Sequence, residues 1–191
     1  MPLLRFAYLL ALTLWLGSMI TLGLVIAPVL FSTLSTIDPE SGRALAGQAF
    51  AAILSEFHYV AYAAGAVMLV SLAAMALLGP RPRGFAVRLG IVAIMLGVAA
   101  YSGFVVLGEM DGIQQQLTVS AGHKGPALRP GASNAASDHH AAVLVLPSSL
   151  PALDPRRVRF DRLHVLSTRL MMVNIAAALV LLAWEAREPS R

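Results

Sequence analysis

A chain of 191 residues that is 58% hydrophobic and only 13% charged, with a mean hydropathy of +0.74, is too apolar for a water-soluble domain of its size. The apolar excess has to be lipid-facing surface, and the length suits one domain. The absence of cysteine excludes disulfides, iron–sulfur clusters, thiolate metal sites, covalent c-type haem and cysteine catalysis. A net charge of +4 on arginines that flank apolar stretches suits anionic lipid headgroups and not a nucleic-acid groove.

Hydrocarbon about 30 Å thick needs about 20 apolar residues in a helix, and four stretches supply them: 6–31, 57–78, 85–107 and about 163–184. These predict an all-α integral membrane four-helix bundle, residues 1–191 forming a single four-span domain. The first run is too long for a signal-peptide core and has no small-x-small cleavage site before Ala27-Pro28, so it is expected to remain as a span. After it, Asp38-Pro39-Glu40 reads as a helix start, with a side-chain cap and proline at the first helical position. That helix places Leu45, Ala49, Phe50, Ile53 and Phe57 on one side, an amphipathic helix that runs into span two.

Spans two and three are joined by Gly79-Pro80-Arg81-Pro82-Arg83-Gly84, with Arg88 close behind. The positive-inside rule puts this short basic turn, and with it both termini, in the cytoplasm of a bacterial inner membrane. Arg156, Arg157, Arg159 and Arg162 pull the other way, but they close a loop of roughly 55 residues, near the length at which loop charge stops steering insertion. Within that loop 114–153 reads as a flexible insertion, rich in Gly, Pro, Ser and Asn, and Ala141 to Leu146 as a short apolar patch. Asp154-Pro155 is a second cap-plus-proline start, for span four. That repeat, with Trp15-Leu16-Gly17 loosely echoed by Tyr101-Ser102-Gly103, is the mark two duplicated hairpins would leave.

Small residues at packing spacings are Gly17 and Gly23, Ala61 and Gly65, Gly90, Ala93 and Gly97, and Ala176 to Ala178. Ala61-x-x-x-Gly65 allows a homo-oligomer or another membrane-protein partner, but packing within one bundle accounts for it more simply. Trp15 is expected to pack near mid-membrane, Asn174 to bond between helices, and Arg169 to snorkel or pair with Glu109 or Asp111. Trp184 with Arg187 reads as an anchor at the cytoplasmic interface. The scattered methionines are gap-fillers.

All five histidines fall on the side assigned as non-cytoplasmic. Asp138-His139-His140 resembles a metal-collecting tract. His58 and His164 each sit at the mouth of a span and can face each other if spans two and four are neighbours, with Asp161 spaced to orient His164. Such a pair suits copper or zinc, or less well haem b, for which histidines usually lie deeper. Interfacial histidines bonded to a nearby loop are the plainer account. No Gly-x-Ser-x-Gly elbow, Walker loop, His-Glu-x-x-His or dinucleotide glycine motif occurs, so an enzyme is not expected.

Trp15-Leu16-Gly17-Ser18 followed by Ala27-Pro28 and Phe31 resembles the first span of an uncharacterised bacterial four-helix membrane family, a domain of unknown function similar to small eukaryotic TMEM-type transmembrane proteins. Ser41-Gly42-Arg43 with Phe50 resembles its amphipathic segment, Tyr101 with Val105-Val106 its third-span exit, and Phe160-Asp161-Arg162-Leu163-His164 with Ser167 its opening of span four. Gly108 stands where that pattern has a proline. The resemblance points at Trp15, Gly17, Pro28, Arg43, Tyr101, Asp161 and His164, and implies fold and location without a reaction. A looser similarity is to copper-resistance membrane proteins of the CopD type. Together these readings predict a non-enzymatic interaction or structural protein of the lipid bilayer, with metal handling as the alternative and a haem-b carrier behind it.

Overall fold

The structure, a computed structural model, describes residues 2–39, 41–79, 84–122, 147 and 150–187, the side chains of 118–122 excepted. His123, His139, His140, the apolar patch from Ala141 to Leu146 and most of the 114–153 insertion lie outside them.

Four helices are long and apolar enough to cross a membrane. The first comprises α1 (Pro2–Thr21), a π-helical stretch (Leu22–Ile26) and α2 (Ala27–Ile37). The second is α3 (Gly42–Leu78), in which the amphipathic segment and span two are continuous as expected. The third comprises α4 (Phe85–Ala100), a second π-helical stretch (Tyr101–Leu107) and α5 (Gly108–Gly122); the fourth is α6 (Pro155–Arg187). Residues 114–122, expected to begin the flexible insertion, are thus helical. Gly108 carries an N–H that donates to the Val105 carbonyl, and the helix passes through the place where a proline was expected.

The expected starts of the even-numbered helices fare differently. Asp154 caps α6 as its sequence predicts, accepting from the Arg156 N–H at 2.8 Å with Pro155 as the first helical residue. Asp38 instead ends α2, its N–H donating to the Leu34 carbonyl at 3.0 Å. Its carboxylate accepts from the Ser41 N–H at 3.1 Å and from the Ser41 hydroxyl, and α3 starts only at Gly42. The first helix runs on past Phe31 to Ile37, so the Asp-Pro pair is used in the reversal instead of at the helix start.

The π stretch in the first helix has a local cause. Pro28 has no N–H and its ring opposes the carbonyl four residues back; just before it the ladder widens, with the Ala27 N–H donating to the Leu22 carbonyl.

The helices form a ring in which α1 packs on α3 and α6, and α4 packs on the same two. The core follows helical spacing: Tyr8, Leu12, Trp15 and Met19 from α1; Ala61, Met68 and Leu72 from α3; Val92, Met95 and Ala99 from α4; Ala178 and Leu181 from α6. Ala61 and Gly65 face into the bundle, where a Cβ on Gly65 would come within 2.5 Å of Leu96 and 2.9 Å of Trp15. Gly17, expected at a packed face, turns outward with nothing within 4 Å, as do Gly90 and Gly97. In α4 the core positions are Val92, Met95 and Ala99 instead.

Beyond the π stretches the ring opens into two pairs. There α2 packs on α3, while α5 packs on α6 and on the second π stretch. The long helices run to 33–37 residues, on the order of 50 Å at ~1.5 Å per residue, so roughly 20 Å stands outside the hydrocarbon. About 20 residues inward from Arg5, Leu78, Phe85 and Trp184 lie Val25, His58, Val105 and His164. By this count the paired ends stand at and above one membrane interface.

Candidate functional site

Between those paired ends lies a cavity of about 510 Å³ lined from all four long helices. The stripe that builds the core also builds its closed end: Trp15 and Met19 from α1, Ala61 from α3, Ala99 from α4 and Asn174 from α6. Phe31, Phe50, Phe57 and Phe160 add aromatic wall. Polar groups lie mainly toward the open end: Arg43, Asp111, Gln114, Asp161, His164, Ser167 and Thr168, with His58 and Ser102 on the wall.

His58 occupies the next position of the α3 core stripe above Ala61, which is why it is buried at 8% exposure. Its Nδ1 lies 2.7 Å from the Leu54 carbonyl, so the tautomer protonated there donates to that oxygen and keeps a lone pair on Nε2. The ring lies edge-on to Phe57 and against Tyr62, which stacks on Phe104 with centroids 5.7 Å apart. The second π stretch brings Gly103 against this group, where a Cβ would fall 2.5 Å from the Tyr62 hydroxyl and 2.8 Å from His58 Cδ2. A glycine is needed there to seat the imidazole.

His164 lies one turn above Ser167 and Thr168 on α6, exposed at the open end with Asp161 one turn further up. The two histidines therefore line one cavity, as the sequence suggests. Among the described residues, however, no group of three or more His, Asp or Glu is placed to hold a metal ion. A copper or zinc ion at His58 and His164 would have to complete its shell with water or another ligand.

At the closed end Trp15 and Asn174 are 1% and 4% exposed. Trp15 Nε1 and Asn174 Oδ1 have no hydrogen-bond partner among the described residues, an uncommon state for buried polar atoms. Asn174 continues the α6 stripe through Ala178, Leu181 and Glu185. Trp15, Arg43, Asp161 and His164 of the resemblance pattern thus meet at the cavity. Gly17, Pro28 and Tyr101 do not: Gly17 and Pro28 face outward, and Tyr101 is 47% exposed.

Charges above the cavity pair off locally. Glu109 takes Arg159, so of the alternatives for Arg169 the pairing with Glu109 is not the one seen. Asp154 takes Arg156 at 3.0 Å, and the hydrogen bonds from that arginine hold its carboxyl below the usual carboxylate range. Arg169 remains exposed on the outer face of α6.

The opposite end holds a cluster the sequence reading missed. Arg88 and Glu185 form an ion pair with side chains 3% and 5% exposed, and Arg5 Nε approaches the second carboxylate oxygen at 3.4 Å. Arg88 also lies over the Trp184 ring, 5.7 Å from its centroid, and Trp184 packs on Gly84, whose φ is +66°. Trp184 is therefore tied to Arg88. The available signal was an acid, Glu185, directly after the apolar run of α6, at the helix end whose Trp184 packs on Gly84.

Comparison with curated proteins and with solved structures finds no match for the chain. A family model does match, described as a domain of unknown function, DUF4149, over residues 10–118. That stretch carries Trp15, Arg43 and His58 and stops short of α6. With more than half of its length matched, this multi-pass membrane chain belongs to the DUF4149 family.

Proposed function

We propose that this chain is a non-enzymatic binding protein of a bacterial inner membrane that takes an amphipathic small molecule into the interhelical cavity. The observation that carries this is the cavity itself. Its volume falls in the range of small-molecule sites, its walls are apolar and aromatic, and a few polar groups converge on it. It gathers residues from elements far apart in sequence, Trp15, Arg43, His58, Asp161 and Asn174 among them. The bilayer is the constant partner. The basic turn, Arg5, Arg88 and Arg187 support a cytoplasmic location for one end, so that the cavity opens to the periplasm.

The test is uptake of the neutral dye Nile red by protein in lipid nanodiscs. Gly47 lines the cavity and has nothing within 4 Å of a Cβ position, so a side chain can leave the backbone there without a clash and Gly47→Trp adds an indole to the cavity lining. Saturable dye fluorescence is expected for the wild type, with affinity reduced at least tenfold in Gly47→Trp at unchanged thermal stability. Uptake equal to that of protein-free nanodiscs would overturn the reading.

Copper or zinc handling remains the second reading, favoured by the presence of His58 and His164 in one cavity. It requires stoichiometric metal after loading and buffer exchange, lost in His58→Ala/His164→Ala. A Soret band in the purified protein would instead support haem b.

A further inference from the structure

If the cavity is a binding site, as the preceding reading holds, its charge and walls specify the ligand class. We infer that it takes a lipophilic organic cation, an apolar body carrying one delocalised or quaternary positive charge. Two carboxylates, Asp111 from α5 and Asp161 from α6, line the cavity against one guanidinium, Arg43. None of the three has an ion pair or hydrogen bond among the described residues, whereas the nearby acids off the cavity, Glu109 and Asp154, are taken by Arg159 and Arg156. The arginines of this end thus neutralise acids that do not face the cavity and leave uncovered those that do.

The walls favour the same charge. Trp15, Phe57 and Phe160 line the space, and the negative face of an aromatic ring attracts a cation. A bare inorganic cation is a poor fit, since no three metal-type ligands converge among the described residues and the walls offer little to replace water. The cation must bring its own apolar shell. At the closed end Asn174 Oδ1 and Trp15 Nε1, on residues more than nine-tenths buried, have no partner among the described residues; this acceptor and this donor mark a built site, whose bonding a polar group on the ligand's apolar body completes while its charge lies by the carboxylates.

The experiment uses tetraphenylphosphonium and tetraphenylborate, which match in shape and differ in charge. Each displaces Nile red from the full chain in zwitterionic nanodiscs, corrected for partition into protein-free discs. Tetraphenylphosphonium should act at a concentration at least tenfold lower. Asp111→Asn/Asp161→Asn should erase that preference, read as the ratio of the two ions' potencies, and Arg43→Gln should tighten cation binding severalfold, a gain that misfolding cannot produce. Equal potency of the two ions, or preference for the borate, would overturn the cation inference and leave the cavity reading intact. Loss of Nile red binding from the wild type would remove both.

Discussion

Glu185 accepts from Arg88 inside the bundle and faces Arg5 at its edge, so three helices meet on one carboxylate. Removing one member of a buried pair leaves the other charge uncompensated, at a cost of about 3–5 kcal/mol, whereas replacing both by apolar side chains of similar volume is often neutral. Glu185→Gln is therefore expected to lower the detergent-solubilised protein's thermal midpoint strongly. Arg88→Met/Glu185→Met should recover most of that loss. Measuring both variants by circular dichroism separates a buried-charge penalty from simple loss of packing: equal destabilisation in the two would mean that Trp184, stacked beneath Arg88, depends on the guanidinium itself. No local pattern announces this pair, because its members stand 97 residues apart and each looks like an ordinary helix-end charge.

At the scale of elements, the close approach of α2 and α3 sets the upper wall of the cavity. Gly42 opens α3 directly against the α2 backbone, and a Cβ there would fall on the Leu34 carbonyl. Backbone cannot rotate aside as a flexible side chain can, so Gly42→Ala should part the two helices at a cost on the order of 2 kcal/mol. Gly47→Ala, in open space on the same helix, should be neutral or slightly stabilising through helix propensity. Thermal unfolding of the two variants checks this, and equal behaviour would show that the corner yields. The contrast also explains what was legible beforehand. Four spans and the Asp154 cap follow from length, period and cap chemistry, which act locally. Which glycine meets a neighbour depends on how each helix is rotated in the bundle. Gly17 and Gly65 therefore looked alike in sequence, yet one faces outward and the other sits under Trp15. The π stretches were hidden for a related reason: Pro28 marks a disturbed ladder, but whether the helix kinks, stops or widens is settled by packing.

For the whole molecule, four crossings place Pro2 and Arg187 on one side of the bilayer, and the open question is which side. The end carrying Arg5, Arg88, Arg187 and the basic turn should be cytoplasmic, because basic residues in short loops resist translocation. The arginines of early α6 oppose this, yet the loop they close is long, near the length at which loop charge stops steering insertion. The absence of natural cysteine makes the protein a clean background for labelling. Thr36→Cys, on the exposed face of α2, should react with a membrane-impermeant maleimide in intact cells; Ala186→Cys, near the end of α6, should react only after permeabilisation. The reverse pattern would turn the cavity toward the cytoplasm. The site chemistry would then be unchanged, but the pool of ligands it samples would be intracellular, and the tetraphenylphosphonium measurement would have to be repeated with the ion supplied from that side.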